Sequence, residues 1–245
     1  VPNYLGYDHY VPSLPDIDAT FETAWAARIQ DWIAYVKGQF GSRYLLIPNA
    51  GNWVTTRETT DYSGADGVMI EGFAEWDAGS PFDLADWQLQ MDRILGLTRL
   101  GKILILQPYT DGSVADRTFL LANYLLVKGT RSYINLDTGQ NPEWWPEYTI
   151  PIGGYVGGVP TEISARYDSA AGVYRRAYTN GQVLVNPSDT SRTVALGGTY
   201  YLATPVGGGE VPADGAIAGW RVDYSAVTSV VLGPARGAIL LNSRP

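Results

Sequence analysis

Apolar positions follow two different periods along the chain, and the change comes near residue 150. Over residues 21–40, Phe21, Trp25, Ile29, Trp32, Ile33, Val36 and Phe40 recur at three-and-four spacing, which predicts a helix with one apolar face. Asp18 or Thr20 is placed to cap its start and Gly41 to close its end. Short continuous apolar runs then alternate with further helical patterns. Tyr44-Leu45-Leu46-Ile47 reads as a buried strand ended by Pro48, and Gly67-Val68-Met69-Ile70 as a second, running into Glu71-Gly72-Phe73. Asp83 can cap a helix bearing Leu84, Trp87, Met91, Ile94 and Leu95 up to Gly101. Lys102-Ile103-Leu104-Ile105-Leu106 is a third strand, ended by Pro108, and a helix from about Val114 to Lys128 ends at Gly129. Ser132-Tyr133-Ile134-Asn135-Leu136 is the fourth strand.

Strand and helix alternating at this spacing predict βαβ units and a parallel sheet. Strands apolar throughout are those covered on both faces. An open, doubly wound sheet is the alternative, but no phosphate-cradling glycine motif follows any strand. Beyond residue 150 the helical period disappears. Alternating runs such as Val173–Tyr178 and Gln182–Val185 are punctuated by Asn180-Gly181, Asn186-Pro187, Gly197-Gly198 and Gly207-Gly208-Gly209. Asn-Gly between such runs predicts a hairpin, and the series predicts a β-sandwich or open barrel, of which the sandwich is taken. The expected organisation is therefore α/β plus all-β: a partial TIM-type (β/α) barrel of about four βα units over 1–150, then an antiparallel β-sandwich over 151–245.

Composition narrows the chemistry. A formal charge of −8 and no basic run argue against nucleic acid as a partner. No apolar stretch reaches the ~20 residues of a membrane span. No cysteine is present and His9 is the single histidine, so thiolate and multi-histidine metal sites are excluded, and no cofactor is expected. What remains is carboxylate chemistry, with 25 Asp and Glu to supply it. The aromatic set, 17 Tyr and 8 Trp against 5 Phe, favours rings with a polar rim, which suit sugars as well as cores. Asp8, His9, Asp16 and Asp18 crowd the N-terminal stretch, and Asp16 and Asp18 read as turn and cap residues.

In parallel β/α folds functional groups collect at the carboxyl ends of strands. That rule selects Asn49, Asn52 and Trp53 after the first strand and Glu71, then Glu75 and Trp76, after the second. Gln107, Tyr109 and Asp111 follow the third, and Asn135 and Asp137 the fourth. Glu71 abuts four apolar strand residues and precedes a glycine, a rigid mounting for a general acid or nucleophile, with partial burial expected to raise its pKa. Around it the amides Asn49, Asn52, Gln107 and Asn135, with Tyr109, Asp111 and Asp137, would bond sugar hydroxyls, and Trp53 and Trp76 would stack on sugar rings. No cation cluster is present, which suits a neutral polyhydroxylated partner, a polysaccharide or other glycan, better than a phosphate.

Tyr44-Leu45-Leu46-Ile47-Pro48-Asn49-Ala50-Gly51, followed by Ala65-Asp66-Gly67-Val68-Met69-Ile70-Glu71-Gly72-Phe73, resembles the second half of bacterial glycoside-hydrolase-like barrels. These are distantly similar to endo-α-1,4-galactosaminidases. Tyr124–Gly129 and Val173–Arg176 through Leu184–Ser188 fit the same family's last helix and C-terminal β-domain. The resemblance implies an eight-stranded barrel, an extracellular or cell-surface setting, and two acidic residues at the mouth, one matching Glu71. The other belongs to an earlier strand with no counterpart in this sequence. The chain starts at Val1, and the expectation is a processed protein or a fragment whose missing half-barrel comes from an upstream segment, a second chain or a homo-oligomer. On that reading the 245 residues alone do not catalyse. The rival is a non-catalytic assembly subunit (surface layer, filament or phage appendage) built on a degenerate glycosidase fold.

Overall fold

The computed structural model describes residues 18–54, 56, 58–139 and 142–245. Asp8, His9 and Asp16 lie outside the described residues. Three α-helices are present among those described: α1 (Ala19–Phe40), α2 (Leu84–Arg99) and α3 (Val114–Val127). Asp18, Asp83 and Ser113 cap them, each side chain accepting the backbone N–H three residues on.

The half barrel expected from the sequence is not there. Among the described residues only β1 (Gly67–Glu71), β2 (Ile103–Gln107) and β3 (Ser132–Ile134) form a parallel sheet, in the order β1-β2-β3. The run 44–47 is extended but is not a strand, and the one bridge that follows it joins Asn49 to Met69. Closing a barrel needs a full ring of tilted, staggered strands. The physical reason lies in the sheet's two faces. Val68, Ile70, Leu104, Leu106 and Leu136 are fully buried, but the alternate residues Met69, Ile105 and Tyr133 are only partly covered, with Tyr133 58% exposed. An unbroken apolar run thus hides a sheet with one face fully and the other only partly covered.

Most of the strand structure is antiparallel, so the molecule is a β-rich α/β fold. β5 (Tyr167–Asp168), β6 (Val173–Tyr178), β7 (Gly181–Asn186), β8 (Arg192–Val206), β10 (Arg221–Leu232) and β11 (Arg236–Leu241) make one six-stranded sheet, ordered β10-β8-β11-β7-β6-β5. The expected sandwich of two sheets is replaced by this single sheet, because β8 and β10 pair with each other over almost their whole length. Gly197-Gly198, expected as a turn, instead lies within β8, opposite a register shift between Val227 and Ser229, as a β-bulge. Beyond the bulge, Val194, Leu196, Val230 and Leu232 cover one face of the sheet, packing with Val173, Leu184, Ala238 and Leu240. A short pair, β4 (Glu143–Trp144) with β9 (Gly209–Glu210), completes the strands.

The other face of that sheet packs on α3. Every residue of this helix from Asp116 to Val127 is buried, the polar Asp116, Arg117, Thr118 and Asn123 with the apolar ones, as expected of a helix enclosed on all sides. β6 secures its end. The Arg176 guanidinium donates to the carbonyls of Leu125 (3.0 Å), Leu126 (3.3 Å) and Lys128 (2.8 Å), groups that a helix leaves unpaired, and Tyr178 donates to Leu125. Near its start, Arg117 lies 3.4 Å from Glu147 in a fully buried ion pair and donates to the Gly207 carbonyl. The hairpin predicted at Asn180-Gly181 forms between β6 and β7, but glycine is needed at 181 for another reason. A Cβ there would collide with the Leu240 carbonyl of β11. No helix among the described residues is long and apolar enough to cross a membrane.

Candidate active site

The partly covered face of the parallel sheet carries a polar row at its carboxyl end. Residues two apart on a strand share a face. In register, Glu71 of β1 stands opposite Gln107 of β2, and Tyr109, two residues further, pairs with Asp137 beyond β3. Side-chain hydrogen bonds then join neighbours. Asn49 Nδ2 donates to Glu71 Oε2 at 2.7 Å, and the Tyr109 hydroxyl donates to Glu71 Oε1. Gln107 Nε2 turns away from Glu71 to donate to Asp137 Oδ2 at 2.9 Å, while the Gly139 amide donates to Asp137 Oδ1. The side-chain bonds make two groups, Asn49–Glu71–Tyr109 and Gln107–Asp137, which backbone pairing sets side by side in one row. Asn135 is exposed, with its amide on the Leu106 carbonyl of β2, the step that keeps the chain in register beside Gln107.

The electrostatics run opposite to the simple burial expectation for Glu71. The hydrogen bonds from Tyr109 and then Asn49 hold its carboxyl below the ordinary glutamate range and outweigh the smaller effect of burial. Tyr109 is pushed up to about 12, first because its proton is shared with Glu71, then by burial and the charges of Glu71, Asp137 and Asp77. Glu71 is therefore an ionised carboxylate at neutral pH with two donors fixed on it.

The remaining residues selected by sequence take other places. Trp53 is a core side chain, 7% exposed, with a left-handed φ of 55°, packed edge-on to Tyr62 and overlaid by the Arg93 guanidinium, so its faces are taken. Asn52 lies against Gly72, where a Cβ would strike its Nδ2. Asp111 is exposed and accepts the Ser113 amide, shaping the approach to α3. Trp76 is 51% exposed and stacks edge-on with Phe82 at 4.9 Å, which leaves a ring surface open to solvent.

Gln90 carries no sequence signal beyond a polar position on α2, yet it organises the turn after Glu71. Fully buried, it accepts the Ala74 amide at 2.8 Å and donates to the carbonyls of Gly72 (3.1 Å) and Asn52 (2.5 Å). The 52 and 72–74 segments are thereby tied together. No cluster of three or more His, Cys, Asp or Glu placed to hold a metal ion occurs among the described residues.

A family model described as hypothetical glycosyl hydrolase family 15 matches residues 8–182. The chain belongs to that family. The match takes in all of the row from Asn49 to Asp137 as well as α1 to α3, the β6 strand and the start of β7. No individually curated protein matches the chain.

Proposed function

We propose that this member of hypothetical glycosyl hydrolase family 15 cleaves glycosidic bonds of a neutral polysaccharide on the polar face of its parallel sheet, by chemistry of two carboxyl groups. The observation that carries the reading is the Glu71 carboxylate, kept ionised by Tyr109 and Asn49 at the end of a strand. The ionised form is the one that can take a proton from an attacking water, although the two donors that keep it ionised also lower its basicity. Its partner is Asp137, the other acid of the row, oriented by Gln107 and the Gly139 amide and positioned to serve the leaving oxygen. Asn49, Gln107 and Asn135 supply donors and acceptors for hydroxyls, and the open face of Trp76 supplies a surface for a sugar ring. The resemblance to endo-α-1,4-galactosaminidases makes an amino-sugar polymer the first substrate to try.

β1 and the continuation of β3 lie two strands apart, a lateral backbone separation of ~9.5 Å, and Asp137 stands opposite Tyr109, two residues beyond the level of Glu71. Retaining enzymes hold their carboxyls ~5–5.5 Å apart and inverting enzymes ~6.5–9.5 Å, leaving room for water between. A backbone spacing this wide favours the wider, water-admitting arrangement, and inversion is the outcome proposed for the pair. Proton NMR of the first product formed tests it. The anomer opposite to the substrate's supports the pair, and retained configuration rules out Asp137 as the partner of Glu71.

A further inference from the structure

Three residues after Glu71 the chain makes a small hairpin over 74–82. The Trp76 amide donates to Ser80 at 2.9 Å, the Phe82 amide to Ala74 at 3.4 Å, and Glu75 bridges Pro81. Phe73, Ala74 and Phe82 anchor its base in the core, and Ala74 holds a left-handed φ of 65° under the clamp of Gln90. The side chain that goes inward from this hairpin is a carboxyl. Glu75 is 1% exposed, it accepts the Gly79 backbone amide, and its Oε1 has no hydrogen-bond partner among the described residues.

Its surroundings are acidic. Asp116 faces it from the first turn of α3, Asp111 from the preceding loop, and Asp77 from the hairpin itself. Asp116 is also buried, accepting from Thr110 and the Asp111 amide, and the nearby cation Arg236 acts on Asp116. The charges that act most strongly on Glu75 are all negative. An ionised carboxylate cannot be held in such a place without a counter-charge. It must stay neutral or reach water.

We propose that Glu75 is a proton-operated latch: neutral, it seats the hairpin that carries Trp76 beside the Glu71 row; ionised, it releases that hairpin. Burial and the charge of Asp116 push its carboxyl up to about 9, so the latch is closed at neutral pH and opens in mildly alkaline solution. The hairpin reaches the polar row, since the Asp77 charge is felt at Tyr109. Opening would displace Trp76 and leave the backbone clamp on Gly72 and Ala74 as the remaining tie.

The test is a pH titration of the whole chain between about pH 6 and 10.5, a range that brackets the raised carboxyl, following the Trp76 indole and the amides of 74–82 by NMR. It needs no glycan and is independent of the hydrolase reading. The expected result is one shared transition near pH 9 in the wild type and none in Glu75→Gln, which keeps the hairpin seated. Asp111→Asn, at an exposed site whose Ser113 bond an amide oxygen retains, is expected to move the transition to lower pH because one repelling charge is gone. Absence of the transition in the wild type, its persistence in Glu75→Gln, or an unmoved midpoint in Asp111→Asn would each overturn the proposal.

Discussion

Nδ2 of Asn49 lies 2.7 Å from Oε2 of Glu71, so an amide from outside the three-stranded sheet fixes the carboxylate at the end of its first strand. Tyr109 fixes the other oxygen from the far side. Glu71 gains a charge state as well as a position from these bonds.

Tyr109→Phe removes the larger of the two influences. The Glu71 carboxyl is then expected to titrate higher, toward the ordinary glutamate range, read from its side-chain carbonyl carbon by NMR. The sign follows from linkage: a depressed carboxyl contributes stability present above its unfolded pKa and lost as pH falls through the folded one. The variant should therefore lose less stability than the wild type on acidification below about pH 4. An unchanged titration would show that Tyr109 does not set the charge state of Glu71.

The buried pair Arg117–Glu147 is expected to be costly to break one-sidedly. Glu147→Leu leaves the guanidinium without its carboxylate over the Trp145 ring and should cost about 3–5 kcal/mol in denaturant unfolding. Arg117→Met combined with Glu147→Leu should cost markedly less, since no unpaired charge remains. Gly208→Ala tests the same region by sterics. Its φ is 102° and a Cβ would strike Arg117, so a loss of stability is expected without any change of charge.

For Glu75 the sign is opposite to that of Glu71. Its raised folded pKa means that the native state binds more protons than the unfolded state between about pH 4.5 and 9. Stability of the wild type should fall across that window by up to about 1.4 kcal/mol per pH unit from this group. In Glu75→Gln that slope should vanish, so the variant's advantage over the wild type grows with pH. Parallel slopes for the two proteins would contradict it.

How much of the molecule was legible depended on whether the signal was local. The three-and-four spacing from Phe21 to Phe40 and the caps at Asp18 and Asp83 describe contacts within one segment, and α1 and α2 follow them. Whether a strand is covered on one face or two depends on what packs above it. Gly67–Glu71 and Ile103–Gln107 do not encode that, and the barrel expectation failed there. Tyr44 and Leu45 are apolar yet exposed, so their run did not become a strand. Strand-end position was enough to place Glu71, Tyr109 and Asp137 in one row of the sheet. The direction of the Glu71 shift was not readable, because it depends on donors that other segments bring to it. Gln90 and the seat of Glu75 became visible only once α2 and α3 were in place.

Glu71 is the carboxylate on which the proposed hydrolysis depends. Release of reducing ends from a panel of neutral and amino-sugar polysaccharides, compared between the wild type and Glu71→Gln, tests that dependence most directly. The predicted result is measurable release by the wild type on at least one polymer and a fall of ~10²–10⁴-fold in Glu71→Gln with the fold intact, the usual contribution of a positioned acid or base. Equal rates in the two proteins, or no release by the wild type across the panel, would contradict it.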